Sequence, residues 1–227
     1  MIYAMSDIHG EHSKYLEMLG KLDLKETDRL YILGDVIDRA GGGIETLLDM
    51  MKRANVVPIL GNHEHSAVKL MKAFVDHPGD TGMIRSTAAY ALWMANGGDE
   101  TEDAFLSLDI GDQEKLVEYI NSFRLYEELT AGGKTFHLSH SIPSFLRGRD
   151  IHSVSVFEFV WGEPDYGRRY NEKKIFVTGH TPTALIDPAY SGRIWQKNGH
   201  IAIDCGAAFT DGRLGCICLD TMEEFYV

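Results

Sequence analysis

The sequence predicts an α/β fold whose strand ends converge on one site, and three observations carry that prediction. Short apolar runs recur along the chain, and each ends in a tight turn bearing Asp, Asn or His, most with an adjoining glycine. The stretches between them place apolar residues at helical spacing. At 227 residues the chain can bury a full core and is most simply one domain, 1–227.

The first run, Ile2-Tyr3-Ala4-Met5, leads into Ser6-Asp7-Ile8-His9-Gly10. An extended strand end puts Asp7 and His9 on one side, because its side-chain period is two. A capping Asp beside a surface His is the plain alternative. Tyr15, Leu16, Leu19 and Leu22 then predict a helix. The run Leu30-Tyr31-Ile32-Leu33 delivers Gly34-Asp35-Val36-Ile37-Asp38-Arg39. Open α/β sheets bind ligands at that edge, which makes Asp35 the natural centre of a site. An ordinary turn with an exposed Asp38–Arg39 ion pair would use the same residues. Gly41-Gly42-Gly43 lacks the phosphate-cradle pattern ending in Gly-Lys, so it reads as a turn into a helix carrying Ile44, Leu47, Leu48 and Met51. The third run, 56–60, ends in Gly61-Asn62-His63-Glu64. Neighbouring side chains of an extended segment diverge, so Asn62 and His63 address different partners. His65 reads as a surface or packing residue.

From Ser66 to about Phe123 the pattern is helical and carries no ligand constellation, an insertion after the third strand. Asp99, Glu100, Glu102 and Asp103 read as a solvated helix start rather than a metal cluster. A hairpin follows, 125–130 and 135–139 around Ala131-Gly132-Gly133, and ends at His140; His137 has the opposite parity. Residues 141–172 read as irregular. The run Ile175-Phe176-Val177-Thr178 ends in Gly179-His180-Thr181-Pro182, and the alternating tail (201–204, 216–219, 225–227) predicts short antiparallel strands.

Bulk properties narrow the function. A hydrophobic content of 44%, a charged content of 25% and no repeat fit a soluble globular chain. The net charge of −12 disfavours nucleic acid as main partner. No stretch predicts a membrane span, and a chain opening on a strand leaves no room for a signal peptide. Cys205, Cys216 and Cys218 read as core thiols of a reduced, cytoplasmic protein.

Collected in order, the strand-end donors are Asp7, His9, Asp35, Asn62, His140 and His180. Imidazole, carboxylate and amide oxygen without sulfur suit manganese, iron or zinc. The ordered set Asp7-x-His9-Gly, Gly34-Asp35-x-x-Asp38-Arg39, Gly61-Asn62-His63-Glu64, His140 and Gly179-His180 resembles the calcineurin-like metallophosphoesterase superfamily. Within it the nearest branch is the small bacterial and phage serine/threonine phosphoprotein phosphatases. The resemblance covers nearly the whole chain. It implies a sandwich of two mixed β-sheets flanked by α-helices, with two divalent ions, manganese foremost, at the strand ends. Asp7, His9 and Asp35 would hold the first ion, and Asp35, Asn62, His140 and His180 the second, with Asp35 bridging. His63 would be the general acid, positioned by Asp38, and Arg39 would bind phosphate oxygens. Two close cations acidify water and stabilise charge on the phosphoryl group, and a protonated His63 serves the leaving group.

The chain departs from the family pattern in three places. Asp38-Arg39 is followed by Ala40 where the family has glycine, and His140 is flanked by Ser139 and Ser141. Trp161-Gly162-Glu163 replaces a Trp-x-Arg, so a second phosphate-binding arginine would be Arg168 or Arg147. Pro182 stands where phosphodiesterase members carry a second histidine, which favours monoesters. The expected activity is hydrolysis of phosphoserine or phosphothreonine in protein, or of a small phosphoester. The alternatives are a symmetrical dinucleoside tetraphosphate hydrolase and, more remotely, a catalytically silent metal-binding scaffold.

Overall fold

The computed structural model describes residues 1–146 and 150–227. Among these residues lie ten strands: β1 (Ile2–Met5), β2 (Arg29–Ile32), β3 (Val56–Pro58), β4 (Tyr126–Ala131), β5 (Lys134–Ser139), β6 (Lys174–Thr178), β7 (Trp195–Lys197), β8 (His200–Ala202), β9 (Gly215–Cys218) and β10 (Glu224–Tyr226). They form two five-stranded mixed sheets, ordered β10-β9-β1-β2-β3 and β4-β5-β6-β8-β7. The centre of each is parallel, β1 beside β2 beside β3, and β5 beside β6 beside β8. Six strands thus point their carboxyl ends toward the site. Pro58 is tolerated because β3 is an edge strand and needs no further ladder donor.

Strand alternation builds the two core layers. Ala4, Tyr31, Leu33 and Ile217 of the first sheet face Phe136, Leu138, Val177 and Ile201 of the second. Tyr3, Met5, Leu30 and Ile32 face the other way, against helices. Burial on both faces explains why β1 and β2 read as continuous apolar runs. The three free cysteines are all buried, as core thiols should be.

The helices are α1 (His12–Leu22), α2 (Gly43–Met51), α3 (Asn62–Asp76), α4 (Thr81–Arg85), α5 (Ala88–Ala95), α6 (Asp99–Leu106), α7 (Ile110–Asn121), α8 (Val156–Trp161) and α9 (Thr183–Ile186). Helices α3 to α7 form the insertion after β3. Four details differ from the sequence reading. The helical stretch begins at Asn62, not Ser66. Glu102 is buried within α6, where its carboxylate takes bonds from Arg85 (2.8 Å) and Tyr90 (2.7 Å), so the acidic helix start is not wholly solvated. The stretch read as irregular contains α8, capped by Ser155 with Glu158 three residues on, a legible Ser-x-x-Glu signature. In the tail, β8 pairs parallel with β6, and the unforeseen β7 supplies its antiparallel neighbour. No helix among the described residues is long and apolar enough to cross a membrane.

The outer face of the second sheet carries a row of His137, Phe176 and His200, aligned across β5, β6 and β8. His137 bonds Glu128 (3.2 Å) and His200 bonds Thr178 (2.9 Å) through one ring nitrogen each; His137 Nε2 and His200 Nδ1 have no partner among the described residues. Burial lowers His137 to about 4 and His200 to about 3, from 6.5. Between those values and 6.5 the unfolded chain binds more protons than the folded one, so stability falls as pH falls. Each such histidine contributes up to about 1.4 kcal/mol per pH unit over that window. Thermal melts from pH 7 to pH 5 should show a falling Tm, and a His137→Phe/His200→Leu double variant a shallower fall than the wild-type chain.

Candidate metal centre

Five of the six parallel strand ends supply the predicted donors, and the structure brings all six donors together. Asp35, buried, lies at the middle. Its Oδ2 is 3.6 Å from His9 Nε2, and its Oδ1 is 3.4 Å from His140 Nε2. Asp7 Oδ1 is 3.9 Å from His9 Nε2, and the Asp7 carboxylate accepts the His180 backbone N–H at 3.1 and 3.2 Å. The Asn62 amide oxygen lies between His140 Nε2 (2.8 Å) and His180 Nδ1 (2.9 Å). Two groups with ligand atoms within 4.8 Å of one another share Asp35: His9–Asp35–His63 and Asp35–His140–His180.

Ring orientation suits cation binding. His9 Nδ1 meets the Ile37 carbonyl at 3.2 Å, and His140 Nδ1 meets the Leu33 carbonyl at 2.6 Å. A carbonyl only accepts, so each Nδ1 carries the proton and each Nε2 turns its lone pair toward Asp35. Burial lowers His9 to about 3 and His180 to about 4, keeping both neutral, the form that ligates a metal. Burial would raise Asp35, but the surrounding imidazoles outweigh it and hold the carboxyl well below the usual range. Two groups of side chains that could hold a divalent ion thus share Asp35.

The local backbone differs from the extended strand ends expected. Asp7 and His9 both have positive φ, 55° and 47°, so a turn brings them together, not the strand period. Asn62 and His63 open α3, so they diverge by the helical step, not by strand alternation. Among the described residues, six of the nine non-glycine residues with positive φ belong to the site: Asp7, His9, Asp35, Asp38, Arg39 and His180. Such strain persists where surrounding contacts over-determine it. Ala40 is not among these residues, which is why it can replace glycine.

Two acidic residues escaped the sequence reading. Glu64, fully buried, accepts four backbone N–H groups: Asp35 (2.9 Å), Val36 (2.7 Å), Ile37 (3.2 Å) and Gly61 (3.2 Å). It is the third residue of α3 reaching back to the Gly61 cap, half of a capping box extended to a neighbouring loop. Its position three residues after the cap was the available signal. A Cβ on Gly61 would lie 2.3 Å from Asp35 Oδ1, so only glycine lets the loops approach. Asp204, after β8, is the sixth strand end; burial pushes it up to about 7 against a 2.9 Å bond from the Gly206 N–H.

Beside the donors, His63 Nδ1 is 2.7 Å from Asp38 Oδ2, and His63 Nε2 is 3.8 Å from Asp35 Oδ2. Burial lowers His63, but the Asp35 charge and the Asp38 bond outweigh it and hold the imidazole above its usual value. Trp93 of the insertion donates its indole N–H to both Asp38 oxygens at 3.1 Å. Arg39 is exposed, with its guanidinium 5.8 Å from the Phe209 ring. Arg168 pairs with Asp165 at 2.6 Å and lines a groove with Phe145, Leu146, Arg169 and Tyr170. Arg147 lies outside the described residues. Ser141 ties the His140 strand to the Trp161 turn, its hydroxyl donating to the Gly162 carbonyl at 2.6 Å.

Glu64→Ala should leave four N–H groups without an acceptor, each costing about 1–3 kcal/mol when buried. The expected result is a markedly lower Tm and weaker uptake of divalent metal. Glu64→Gln should fall between that variant and wild type, as measured by thermal melts and metal analysis.

Comparisons with known proteins agree with this geometry. The symmetrical bis(5'-nucleosyl)-tetraphosphatase of Methylobacillus flagellatus is 33% identical over 166 residues, 66% of this chain and 52% of that protein. Serine/threonine-protein phosphatase 2 of Salmonella typhimurium is 29% identical over 135 residues, 55% of each chain. The chain thus spans about half the length of the curated relatives it matches. Among solved structures, a serine/threonine phosphatase of Saccharomyces cerevisiae superposes with a TM-score of 0.59 at 14% identity, covering 95% of this chain and 71% of that one. A metallophosphoesterase of Sphaerobacter thermophilus gives 0.51 at 13% identity, covering 99% and 85%. The calcineurin-like phosphoesterase profile matches residues 1–206. With its donors gathered at the strand ends of two packed mixed sheets, the chain belongs to the calcineurin-like phosphoesterase family.

Proposed function

We propose that this phosphoesterase is a metal-dependent phosphomonoester hydrolase acting on phosphoserine or phosphothreonine in protein. The observation that carries the reading is the Asp38–His63 pair beside the Asp35 donor cluster: a proton donor next to a place for a phosphoryl group. In this reading Asp7, His9 and Asp35 hold one divalent ion, and Asp35, Asn62, His140 and His180 hold another. Manganese is the first candidate, with iron or zinc also suited to these donors. Ions held there would supply positive charge against the phosphoryl oxygens and acidify a water molecule.

The chain's own residues supply the rest. Arg39 offers an exposed guanidinium for the phosphate oxygens. Asp38 accepts a hydrogen bond from the His63 Nδ1–H, which leaves Nε2 facing the cleft. The raised pKa of His63 keeps a proton available on that ring for the departing alkoxide. A complete acid pair supports turnover over a catalytically silent scaffold. A second reading, symmetrical dinucleoside tetraphosphate hydrolysis, is favoured by the name of the Methylobacillus relative.

A substrate panel with manganese tests the two readings: a phosphoserine peptide, p-nitrophenyl phosphate, bis-p-nitrophenyl phosphate and diadenosine tetraphosphate. Monoesters should be cleaved much faster than the diester, because Pro182 stands where a second histidine would be. Diadenosine tetraphosphate outrunning every monoester would establish the second reading.

His63→Asn should keep its metal and lose roughly 100- to 10,000-fold in kcat on the phosphoserine peptide, as removal of a general acid does. The loss should be much smaller on p-nitrophenyl phosphate, whose leaving group needs little protonation. Metal analysis that showed an ion lost with the imidazole would reassign His63 as a ligand.

A further inference from the structure

Helices α5 and α6 of the insertion, which hold none of the six donors, reach the two residues on which proton transfer and phosphate binding would depend. Trp93 in α5 is buried and donates Nε1–H to both Asp38 oxygens at 3.1 Å. Thr101 in α6 accepts the Asp38 backbone N–H at 2.9 Å. Between them the Gly97 carbonyl accepts the Arg39 N–H at 2.8 Å. Residues 93–101 therefore form a hook around Asp38 and Arg39.

The hook is built for close approach. Gly97 has φ +92°, and a Cβ there would lie 3.1 Å from Arg39 N; a Cβ on Gly98 would lie 2.5 Å from the Trp93 indole nitrogen. Asp38 and Arg39 themselves have φ of 70° and 73°, a conformation that needs outside support. Packing alone would accept a phenyl ring at position 93. An indole N–H aimed between two carboxylate oxygens does more, because it fixes the plane of that carboxylate.

We propose that Trp93 is a positioning residue for His63, acting through Asp38. By holding the carboxylate that accepts the Nδ1–H hydrogen bond, it keeps Nε2 aimed into the cleft. The inference rests on the general-acid reading of His63 and adds to it the origin of the acid's alignment, a helix absent from the two core sheets.

The test compares Trp93→Phe with wild type and with His63→Asn, each with its metal content measured. Trp93→Phe should retain metal and KM, and lose kcat on the order of 10-fold on the phosphoserine peptide, the scale of one hydrogen bond to a charged group. On p-nitrophenyl phosphate it should lose less than about 3-fold, since that leaving group needs little help. Introduced into the His63→Asn background, it should change kcat by less than about 2-fold, because groups acting as a unit are non-additive. Equal losses on both substrates, or a full additional loss in the His63→Asn background, would reduce Trp93 to packing and overturn the proposal. If Trp93→Phe does not fold, Thr101→Val serves, with the same unequal loss expected and an equal loss overturning it. A His63→Asn variant without leaving-group dependence would defeat the general-acid reading and this inference together, whereas a normal His63 result with a flat Trp93 result defeats the inference alone.

Discussion

The site depends on keeping the Asp35 carboxylate ionised where water scarcely reaches it. A buried charge is costly unless hydrogen-bonded and faced by opposite charge. Asp35 meets this by accepting the His63 backbone N–H at 3.1 Å and by facing, at 3.8 Å, the His63 imidazole, which is held above its usual pKa. Glu64, close behind, is treated in the opposite way. Burial and the Asp35 charge push it up to about 7, while four backbone N–H groups hold it in place. One carboxylate thus faces the donors and the other grips the loop that presents it.

The loops carry the strain that this arrangement requires. Turn 7–10 is laced to turn 34–40 by bonds from the His9 and Gly10 N–H groups to the Asp35 and Val36 carbonyls, at 2.9 and 2.8 Å. The Ala40 N–H returns to the His9 carbonyl at 3.1 Å. Each bond lies within protein and loses little to water, so the ladder can hold residues at positive φ that would otherwise relax. Two further carbonyls of the same stretch, Ile37 and Leu33, orient the His9 and His140 rings, which makes backbone path and ligand direction one problem.

The insertion enters this architecture from outside the sheets. Its contacts with Asp38 and Arg39 come from Trp93, Gly97 and Thr101, and Trp93 and Thr101 lie 55 and 63 residues along the chain from Asp38. The dyad is consequently held on one side by the N-terminus of α3 and on the other by α5 and α6. Donor-type side chains at the strand ends thus stand beside an Asp38–His63 pair that a helical layer holds.

The fold class, the six donors and the central place of Asp35 were legible in the sequence because they depend on local rules. Apolar runs report burial, glycine reports turns, and ligand-type residues after each run report a common edge. The roles of Glu64, Trp93 and Asp204 depended on the tertiary structure. Glu64 bonds residues 27 to 29 positions away, and Trp93 bonds one 55 away, distances at which no periodicity acts. That Arg168 pairs with Asp165 was likewise visible only in the fold. Asp7 and His9 meet as predicted but through left-handed turns, because hydrogen bonds from a neighbouring strand's loop outweigh the extended preference. Sequence determined which side chains could ligate; long-range backbone hydrogen bonding decided how they are aimed, because that energy exists only once separate loops are packed together.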